Sequence, residues 1–400
     1  MTDMHALLKY MVEKGASDLF LTCGTPPHIK IEGVTHSINL PELKPGETKM
    51  LARSIMTDKQ TAAFEETMES NLSLSIEGVG RYRINVYYQR GEVAVVVRLI
   101  KSDIPTFEKL GLPAICMRLA MLKRGLVLFV GAAGSGKSTS LAAMIRYRSE
   151  HADGHILTIE DPIEFLFQHR QSIVDQREVS IDTRTFGDAL RNAMREAPDV
   201  IMIGEIRDHE TAQHAIAYAE TGHLCVSTMH ANNANQSIER LINFFPEQAQ
   251  KQLFMDLSLN LKGVVSLRLL PSTDGKLALA TEVLLLTPYV ADLIQKGRVD
   301  ELKDIMSKGN GEGMHTFDQS LFDLYKAGRL SQADTLRYAD SRTDLALRMR
   351  LTEHLTSGEV PLSLDEAANR PHASLELPEA GATTKPALGH RSTPSSIPGR

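Results

Sequence analysis

The sequence predicts an α/β protein whose central sheet is mostly parallel, with a smaller α+β domain before it and helices after it. Four apolar segments separated by helical patterns indicate the sheet, and they span residues 126–130, 156–159, 200–203 and 224–228. Near-continuous apolar strands that alternate with helices are typical of a parallel sheet covered on both faces. The first of them leads directly into a glycine-rich segment, residues 131–139, which a helical pattern follows. Strand, glycine loop and helix in this order predict a phosphate-binding loop.

Residues 1–100 predict the α+β domain. A short amphipathic helix over residues 5–13 and two short strands around a proline turn form its first part. Residues 47–69 have a helical composition, and the expected core positions there are Met50, Leu51, Ile55 and Phe64. Three strands complete the domain, over residues 71–76, 81–89 and 93–100.

The remaining boundaries follow from changes in composition. Residues 101–115 predict a linker, residues 116–297 the domain with the parallel sheet, and residues 298–357 a C-terminal helical region. The segment 358–400 is rich in Pro, Ala, Ser, Thr and Gly and has no periodicity. We expect it to be a disordered tail, because it offers too little apolar surface to offset the entropy lost on ordering.

The composition excludes several classes of function. A net charge of −6 and a pI near 6.2 provide no basic field, so we expect no nucleic-acid partner. Cys23, Cys116 and Cys225 have neither a disulfide nor a zinc pattern and are expected to be buried thiols in a reducing cytosol. The first residues lack the basic and apolar regions of a signal peptide, and no run approaches the ~20 apolar residues of a membrane span. We therefore expect a cytoplasmic protein without a membrane span.

The phosphate loop predicts an ATP site. Its glycines let consecutive backbone N–H groups turn towards one anion, and the following helix points its positive dipole end at the same place. Lys137 would reach the β- and γ-phosphates, Ser138 would bind Mg²⁺, and Thr139 would lie near the α-phosphate. The candidate nucleotide-binding residues of the loop are Gly131, Gly134, Ser135, Gly136, Lys137, Ser138 and Thr139.

Acidic side chains follow two other strands, at the sheet edge where ligands of parallel sheets bind. Glu164 is the candidate that orients and polarises the attacking water. Glu205 follows the strand over residues 200–203, in the place of a Walker B acid that holds Mg²⁺ directly or through water. Glu160 and Asp161 are harder to separate, since either could support these groups without touching the nucleotide.

Two histidines and two arginines supply further candidates. His223 and His230 flank one strand, which suggests a sensor of the γ-phosphate; without a third His or Cys at ligand spacing they do not indicate a metal site. Arg191 and Arg195 lie four residues apart on one predicted helix face. Together they could address phosphates across a subunit boundary, and the alternative is that both are solvated surface arginines.

The helix that carries these arginines has an N-terminal signature. Thr185 and Asp188 predict a capping box at its start. The side chains expected to face inward from this helix are Phe186, Leu190, Ala193 and Met194.

Four segments resemble the motifs of secretion ATPases: residues 132–139 (Walker A), 155–165 (Asp box), 203–208 (Walker B) and 219–230 (His box). Within that superfamily the chain resembles the type IV pilus retraction ATPases of the PilT/PilU group, whose first domain is matched at residues 15–20 and 80–85. The tetracysteine zinc insertion of pilus-extension and type II secretion ATPases is missing. The resemblance therefore favours the retraction branch.

The resemblance implies a PAS-like N-terminal domain, a RecA-like P-loop ATPase domain and C-terminal helices, assembled as a homohexameric ring. It implies ATP hydrolysis between the two domains, which drives pilus retraction and twitching motility. Implied partners are an inner-membrane pilus platform protein, at the cytoplasmic face of that membrane, and a PilT-type retraction ATPase. The roles carried over are nucleotide and Mg²⁺ binding for Lys137 and Ser138, catalytic base for Glu164, Walker B acid and Mg²⁺ ligand for Glu205, and sensor for His230.

The resemblance also extends to arginines. Its catalytic candidates are Arg191, Arg195 and Arg207, and its nucleotide-binding candidates from the N-terminal domain are Arg81, Arg83 and Arg98. Because the second set lies in the other predicted domain, the site would depend on how the two domains dock.

One departure from the PilT pattern concerns the C-terminal part of the ATPase domain. PilT-type motors carry Ala-Ile-Arg-Asn-Leu-Ile there, whereas this chain has Tyr289-Val290-Ala291-Asp292-Leu293-Ile294. The missing Arg-Asn pair, the segment 315–322 and the tail resemble the PilU subgroup of accessory retraction ATPases. Three hypotheses stay open: a motor that hydrolyses ATP, a nucleotide-gated accessory subunit of another retraction ATPase with little motor activity of its own, and a nucleic-acid-linked translocase, which the acidic charge disfavours.

Overall fold

Two β-sheets organise the residues that the computed structural model describes, which are 3–309 and 313–357. The segment 358–400, expected to be a disordered tail, lies outside the described residues. The chain divides into two compact units after Ala346, and both sheets belong to the first unit. None of the helices in the described ranges is long and apolar enough to cross a membrane.

The N-terminal sheet is antiparallel, with the strand order β3-β2-β1-β6-β5-β4. Its strands are β1 (Asp18–Leu21), β2 (His28–Ile31), β3 (Val34–Ser37), β4 (Glu69–Ile76), β5 (Gly80–Gln89) and β6 (Glu92–Ile100). The helices α1 (Met4–Glu13), α2 (Glu47–Arg53) and α3 (Asp58–Thr67) contribute to the same core. The buried Tyr82 hydroxyl donates to the Leu8 carbonyl at 3.0 Å and so ties β5 to α1.

Two expectations for this region need correction. The helical stretch over residues 47–69 is divided into α2 and α3, because Thr57 and Gln60 form a capping box that starts a new helix. Met50 is 55% exposed, since the inward face of α2 is formed by neighbouring residues that include Leu51. Strand β3 was not predicted; all four of its residues are exposed, so it has no apolar alternation.

The second sheet has the strand order β13-β12-β7-β11-β10-β8-β9, and only its edge strand β13 is antiparallel. Its strands are β7 (Gly125–Val130), β8 (Gly154–Glu160), β9 (Ser172–Glu178), β10 (Val200–Ile203), β11 (Leu224–Met229), β12 (Leu261–Pro271) and β13 (Leu277–Leu285). The predicted α/β fold with a parallel-rich central sheet is confirmed. Strands β9 and β12 were not predicted.

Helices cover both faces of this sheet. They are α4 (Phe107–Leu110), α5 (Ile115–Ala120), α6 (Lys137–His151), α7 (Phe186–Ala193), α8 (His209–Glu220), α9 (Ala234–Asn243), α10 (Glu247–Asn260) and α11 (Pro288–Gln295). Successive residues of β7 enter two different cores, with Leu126 and Leu128 in one and Val127 and Phe129 in the other. Because both faces are buried, the strand is apolar throughout.

The C-terminal region is helical. After a short 3₁₀ turn at Val299–Glu301, its helices are α12 (Leu302–Lys308), α13 (Phe317–Lys326), α14 (Gln332–Arg337) and α15 (Arg342–Ser357). Arg268 of β12 pairs with Asp340 at 2.8 Å, and its guanidinium lies 3.7 Å from the Phe317 ring centroid. These contacts fasten the region that contains α13 and α14 to the sheet.

Candidate nucleotide-binding site

A cavity opens at the carboxyl ends of four adjacent parallel strands, β7, β11, β10 and β8. Such an edge is where open α/β sheets bind ligands. The structure brings seven of the catalytic and nucleotide-binding candidates to this cavity: Gly134, Lys137, Ser138, Glu164, Glu205, Arg207 and His230.

The phosphate loop joins the fully buried β7 to α6, which begins at Lys137. A Cβ atom on Gly131 would lie 2.3 Å from Ser135 Oγ and 2.7 Å from the Leu267 carbonyl oxygen, so this position admits only glycine. Gly136 is the N-cap of α6 with φ of +91°. The Ser135 hydroxyl is buried without a hydrogen-bond partner among the described residues, which leaves it available to a phosphate oxygen.

The Lys137 amino group lies within the loop. Nζ donates to the carbonyl oxygens of Gly131 and Ala132, each at 2.9 Å. Burial lowers the pKa of Lys137, and the negative charges of Glu205 and Glu164 oppose this effect. The two carboxylates therefore favour the charged form of Lys137 against the effect of burial.

His230 stands between Lys137 and Glu205. Its Nδ1 lies 3.5 Å from Lys137 Nζ, and its Nε2 lies 3.6 Å from Glu205 Oε1. The backbone before Glu205 is fixed, because the Gly204 N–H donates to the Ile159 carbonyl at 2.8 Å and the Thr228 hydroxyl donates to the Gly204 carbonyl at 2.7 Å. Lys137, His230 and Glu205 therefore lie in one row along the cavity.

Glu160, at the end of β8, and Asp161 and Glu164, in the segment after it, have different surroundings. Glu160 is buried, and its Oε1 accepts hydrogen bonds from the Thr158 hydroxyl at 2.8 Å and from Gln176 Nε2 at 3.0 Å. Burial raises the pKa of Glu160 to about 7, although these hydrogen bonds favour the ionised form. Asp161 lies 3.4 Å from Arg207, whereas the exposed Glu164 carboxylate projects into the cavity.

The three catalytic arginine candidates have different surroundings. Arg207 lines the cavity, and its guanidinium lies 5.2 Å from the Phe186 ring centroid. Arg191 pairs with Asp188 at 2.6 Å and Glu210 at 3.2 Å, while Arg195 bonds Asn192 at 3.3 Å. Neither Arg191 nor Arg195 lines the cavity of its own chain, so a role for them across a subunit boundary stays a prediction.

Helix α7 differs from the sequence expectation in three respects, and the first is that it ends at Ala193, so Arg195 lies beyond the helix and does not share a helix face with Arg191. Thr185 accepts from the Asp188 N–H at 3.0 Å, but its hydroxyl, not its backbone N–H, donates to the Asp188 carboxylate. Met194 is 41% exposed, contrary to the expectation that it faces inward, because α7 ends at Ala193.

The arginines of the N-terminal sheet approach the second sheet at two places. Arg83 and Arg98 line a cavity together with Thr139, Pro162 and Glu164, next to the phosphate loop. Arg98 also donates to Asp18 at 2.8 Å.

Arg81 lies apart from them and pairs with Glu178 of β9 at 3.7 Å. Burial raises the pKa of Glu178, and the charge of Arg81 opposes this rise.

The interpretation of His223 as a second histidine beside the phosphates is wrong. His223 precedes β11 and His230 follows it, so the strand of six residues places them about 20 Å apart. His223 instead contacts the Thr221 hydroxyl at 3.1 Å and the Tyr218 carbonyl at 3.3 Å. Of the cysteines, Cys116 and Cys225 are buried as expected, and Cys23 is only half-buried.

Sequence reasoning missed Gln176, which touches the Glu164 segment. It lies on β9 and donates to Glu160 and to the Phe165 carbonyl. The available signal was the β-branched pair Ile173 and Val174, which is too short to separate a strand from a loop.

Comparison with known proteins relates this site to characterised ATPases. The family described as Type II/IV secretion system protein matches residues 1–303. The type IV pilus ATPase PilU of Pseudomonas aeruginosa is 51% identical over 369 residues, which cover 91% of this chain and 97% of that protein. The type IV pilus retraction ATPase PilT of the same organism is 40% identical over 330 residues, covering 82% and 96% respectively.

A solved structure agrees with these sequence relatives. A crystal structure of the pilus retraction motor PilT with bound ADP matches with a TM-score of 0.80 and 41% identity, over 86% of this chain and 99% of that chain.

Proposed function

The chain belongs to the family of Type II/IV secretion system proteins, and from this premise we propose that it is an ATP-hydrolysing motor that powers or assists the retraction of type IV pili. The observation that carries this proposal is the meeting of Lys137, Ser138, Glu164, Glu205 and His230 at one cavity. Relatives named as type IV pilus ATPases, and the PilT structure with ADP, support it.

The residues of the cavity suit ATP. The phosphates would bind on the loop, where backbone N–H groups, the start of α6 and Lys137 oppose their negative charge. The Ser138 hydroxyl and the Glu205 carboxylate are oxygen donors of the kind Mg²⁺ prefers, and Mg²⁺ would balance charge on the phosphates. Glu164 would orient the attacking water and accept its proton, and His230 would contact the γ-phosphate from its place between Lys137 and Glu205.

The coupling to mechanical work rests on the division of the chain. We assign residues 1–100 to an N-terminal domain, 101–115 to a linker, 116–297 to the ATPase domain and 298–357 to C-terminal helices. Because Arg83, Arg98 and Glu164 line one cavity between the two sheets, ATP would draw the sheets together there. Hydrolysis would release them.

The assembly is part of the same proposal. A homohexameric ring, docked at the cytoplasmic face of the inner membrane on a pilus platform protein, would transmit these movements to the pilus base. Arg191 and Arg195 would then act on a neighbouring subunit's nucleotide, and a PilT-type retraction ATPase would be a further partner.

A second candidate function is a nucleotide-gated accessory subunit with little motor activity of its own. The observation that favours it concerns the stretch 289–294, where PilT-type motors carry an Arg-Asn pair and this chain does not. Asp292 stands in that stretch and pairs with Lys296 at 2.7 Å, and Tyr289 beside it is 52% exposed. An acidic side chain paired with a lysine therefore stands in the stretch where PilT-type motors carry a cation, and the partner of this surface would differ.

Steady-state hydrolysis of ATP by the purified protein tests the enzymatic part. Lys137→Ala should abolish nucleotide binding, whereas Glu164→Ala should keep binding and lose roughly 100-fold or more in kcat. Lys123→Ala removes an exposed lysine outside the cavity and is the matched control. Turnover that both site variants leave unchanged would contradict the proposal.

Retraction in cells separates motor from accessory subunit. In a strain that lacks the PilT-type ATPase, an independent motor still retracts pili. Full retraction in cells that carry Glu164→Ala together with the other ATPase would favour the accessory role, since hydrolysis at this site would then be dispensable.

A further inference from the structure

The segment that carries Glu164 is held through its backbone. The Glu164 carboxylate is exposed and accepts no hydrogen bond from any residue in the described part of the chain. A water-orienting carboxylate must nevertheless be held within a few tenths of an ångström of its working position. Whatever fixes the backbone of residues 161–167 therefore governs the position of this group.

Gln176 grips the segment from β9. Its Nε2 donates to the Phe165 carbonyl oxygen at 2.9 Å, and its Oε1 accepts from the Phe167 N–H at 2.8 Å. The Phe165 carbonyl needs a donor and the Phe167 N–H needs an acceptor, and the side-chain amide of Gln176 supplies both. These two bonds fix which end of the amide is NH₂ and which is oxygen. Alanine, methionine or glutamate at this position could not form both bonds.

The same amide is anchored to a buried group. Nε2 of Gln176 also donates to Glu160 Oε1 at 3.0 Å, and Glu160 accepts in addition from the Thr158 hydroxyl. The backbone N–H of Glu164 lies close enough to the Glu160 carboxylate to favour its ionised form. Glu160 is the last residue of β8 and is buried in the core, so Gln176 connects the segment to a rigid part of the fold.

The other side of the segment is attached to the linker. The Leu166 N–H donates to the Lys101 carbonyl at 2.9 Å, so the segment lies between the linker and β9. Gln176 thus provides the contact on the ATPase side. Without it, only the linker hydrogen bond and the packing of the Phe165 and Phe167 side chains against the core would set the position of residues 165–167.

We propose that Gln176, supported by Glu160, is a positioning residue for ATP hydrolysis that holds the Glu164 segment in its working place. This inference rests on the proposed function, because it assigns to Glu164 the task of orienting the attacking water. Gln176 itself touches neither nucleotide nor water in this scheme; it acts through Glu164.

The first test compares Gln176→Ala and the near-isosteric Gln176→Met with Gln168→Ala in the full chain. Gln168 is exposed, neighbours the same segment and bonds only Arg170 among the described residues, so it is a matched control. Both Gln176 variants should lower kcat about 10- to 100-fold, with KM for ATP and ADP affinity within about twofold of wild type. A kcat equal to that of Gln168→Ala would overturn the inference.

A double-mutant cycle separates positioning from general support of the fold. In the Glu164→Ala background, Gln176→Met should cause no further loss of kcat, because the group it positions is gone. Losses that multiply would mean that Gln176 acts independently of Glu164, and the inference would be wrong.

A measurement without turnover completes the design. Hydrogen exchange at the Phe167 amide should become about 10- to 100-fold faster in Gln176→Met, while exchange in β7 stays unchanged. Unchanged exchange at Phe167 would overturn the grip described here. A wild-type protein that binds ATP but never hydrolyses it would instead overturn the proposed function, and this inference with it.

Discussion

Glu160→Gln should change how the stability of the protein depends on pH. The carboxyl group of Glu160 is buried at the end of β8, and burial raises its pKa to about 7 from an ordinary value of 4.5. Between these two values the unfolded chain carries an ionised Glu160 while the folded chain keeps the proton. Because the folded state binds more protons in this window, the free energy of unfolding falls as the pH rises through it.

The magnitude follows from the two pKa values. The difference between 4.5 and about 7, at about 1.4 kcal/mol per pH unit, amounts to about 3 kcal/mol. Most of this change lies between pH 5 and pH 8, and it is complete once the pH exceeds the folded value. Glutamine cannot ionise, so the variant loses this contribution to the pH dependence. Its amide oxygen can still accept from Thr158 and Gln176.

The assay is urea unfolding of wild type and Glu160→Gln at several pH values between 5 and 8. Relative to the variant, the wild-type protein should lose about 2 to 3 kcal/mol over this range. Glu66→Gln, which changes an exposed glutamate of α3, is the control and should leave the wild-type dependence intact. Parallel curves for wild type and Glu160→Gln would refute the reasoning, since they would show that folding does not change the proton affinity of this carboxyl group.

Two further predictions concern the contacts around the site. Arg81→Ala should lower the free energy of unfolding by about 1 to 2 kcal/mol at pH 8 and by less at pH 5, because the buried Glu178 loses its cation and at low pH can take a proton instead. Urea unfolding at both pH values measures this loss, and Arg118→Ala, which changes an exposed arginine, is the control. An equal loss of stability at the two pH values would contradict the prediction. Gly131→Ala should cost about 2 to 3 kcal/mol and abolish ADP binding, because its Cβ would meet Ser135 Oγ and the Leu267 carbonyl. The control is Gly134→Ala, because its Cβ would meet nothing within 4 Å although its φ is +75°. In thermal unfolding without nucleotide, this control should lose about 1 kcal/mol of stability. Equal losses of stability for the two glycine variants would contradict the prediction.

Buried strands of the second sheet were predictable because both of their faces are covered. The residues of β7 from Leu126 to Val130 alternate between two cores, so this run is apolar throughout and is visible in the sequence. Strand β12 is largely buried, but it includes Lys262 and Arg268 and begins at Leu261, directly after α10 ends at Asn260. Without turn residues between them, the change from helix to strand has no signal in composition.

For the site, spacing decided neither which residues share an element nor what lies opposite that element. Arg191 lies on α7, and its partners include Glu210 from α8. Arg195 follows the end of α7 at Ala193, so the two arginines do not share one helix face. His223 and His230 flank one strand, and only the direction of that strand decides which of them reaches the phosphate loop. The partners of the arginines depend on tertiary neighbours that a single sequence does not contain, whereas the place of His230 follows from the predicted parallel sheet, in which ligands bind where the strands end.

Strand β9 is the element whose sequence gives the weakest sign of its structure. Most of its residues are polar, and polarity in a sequence is commonly a sign of contact with water. Here Gln176 faces the Glu164 segment and Glu178 faces Arg81 of the N-terminal sheet, so the polar side chains meet protein groups. An edge strand that holds the Glu164 segment and meets the N-terminal sheet uses amide and carboxylate groups for these contacts. The chemistry that makes β9 useful is therefore what conceals it as a strand.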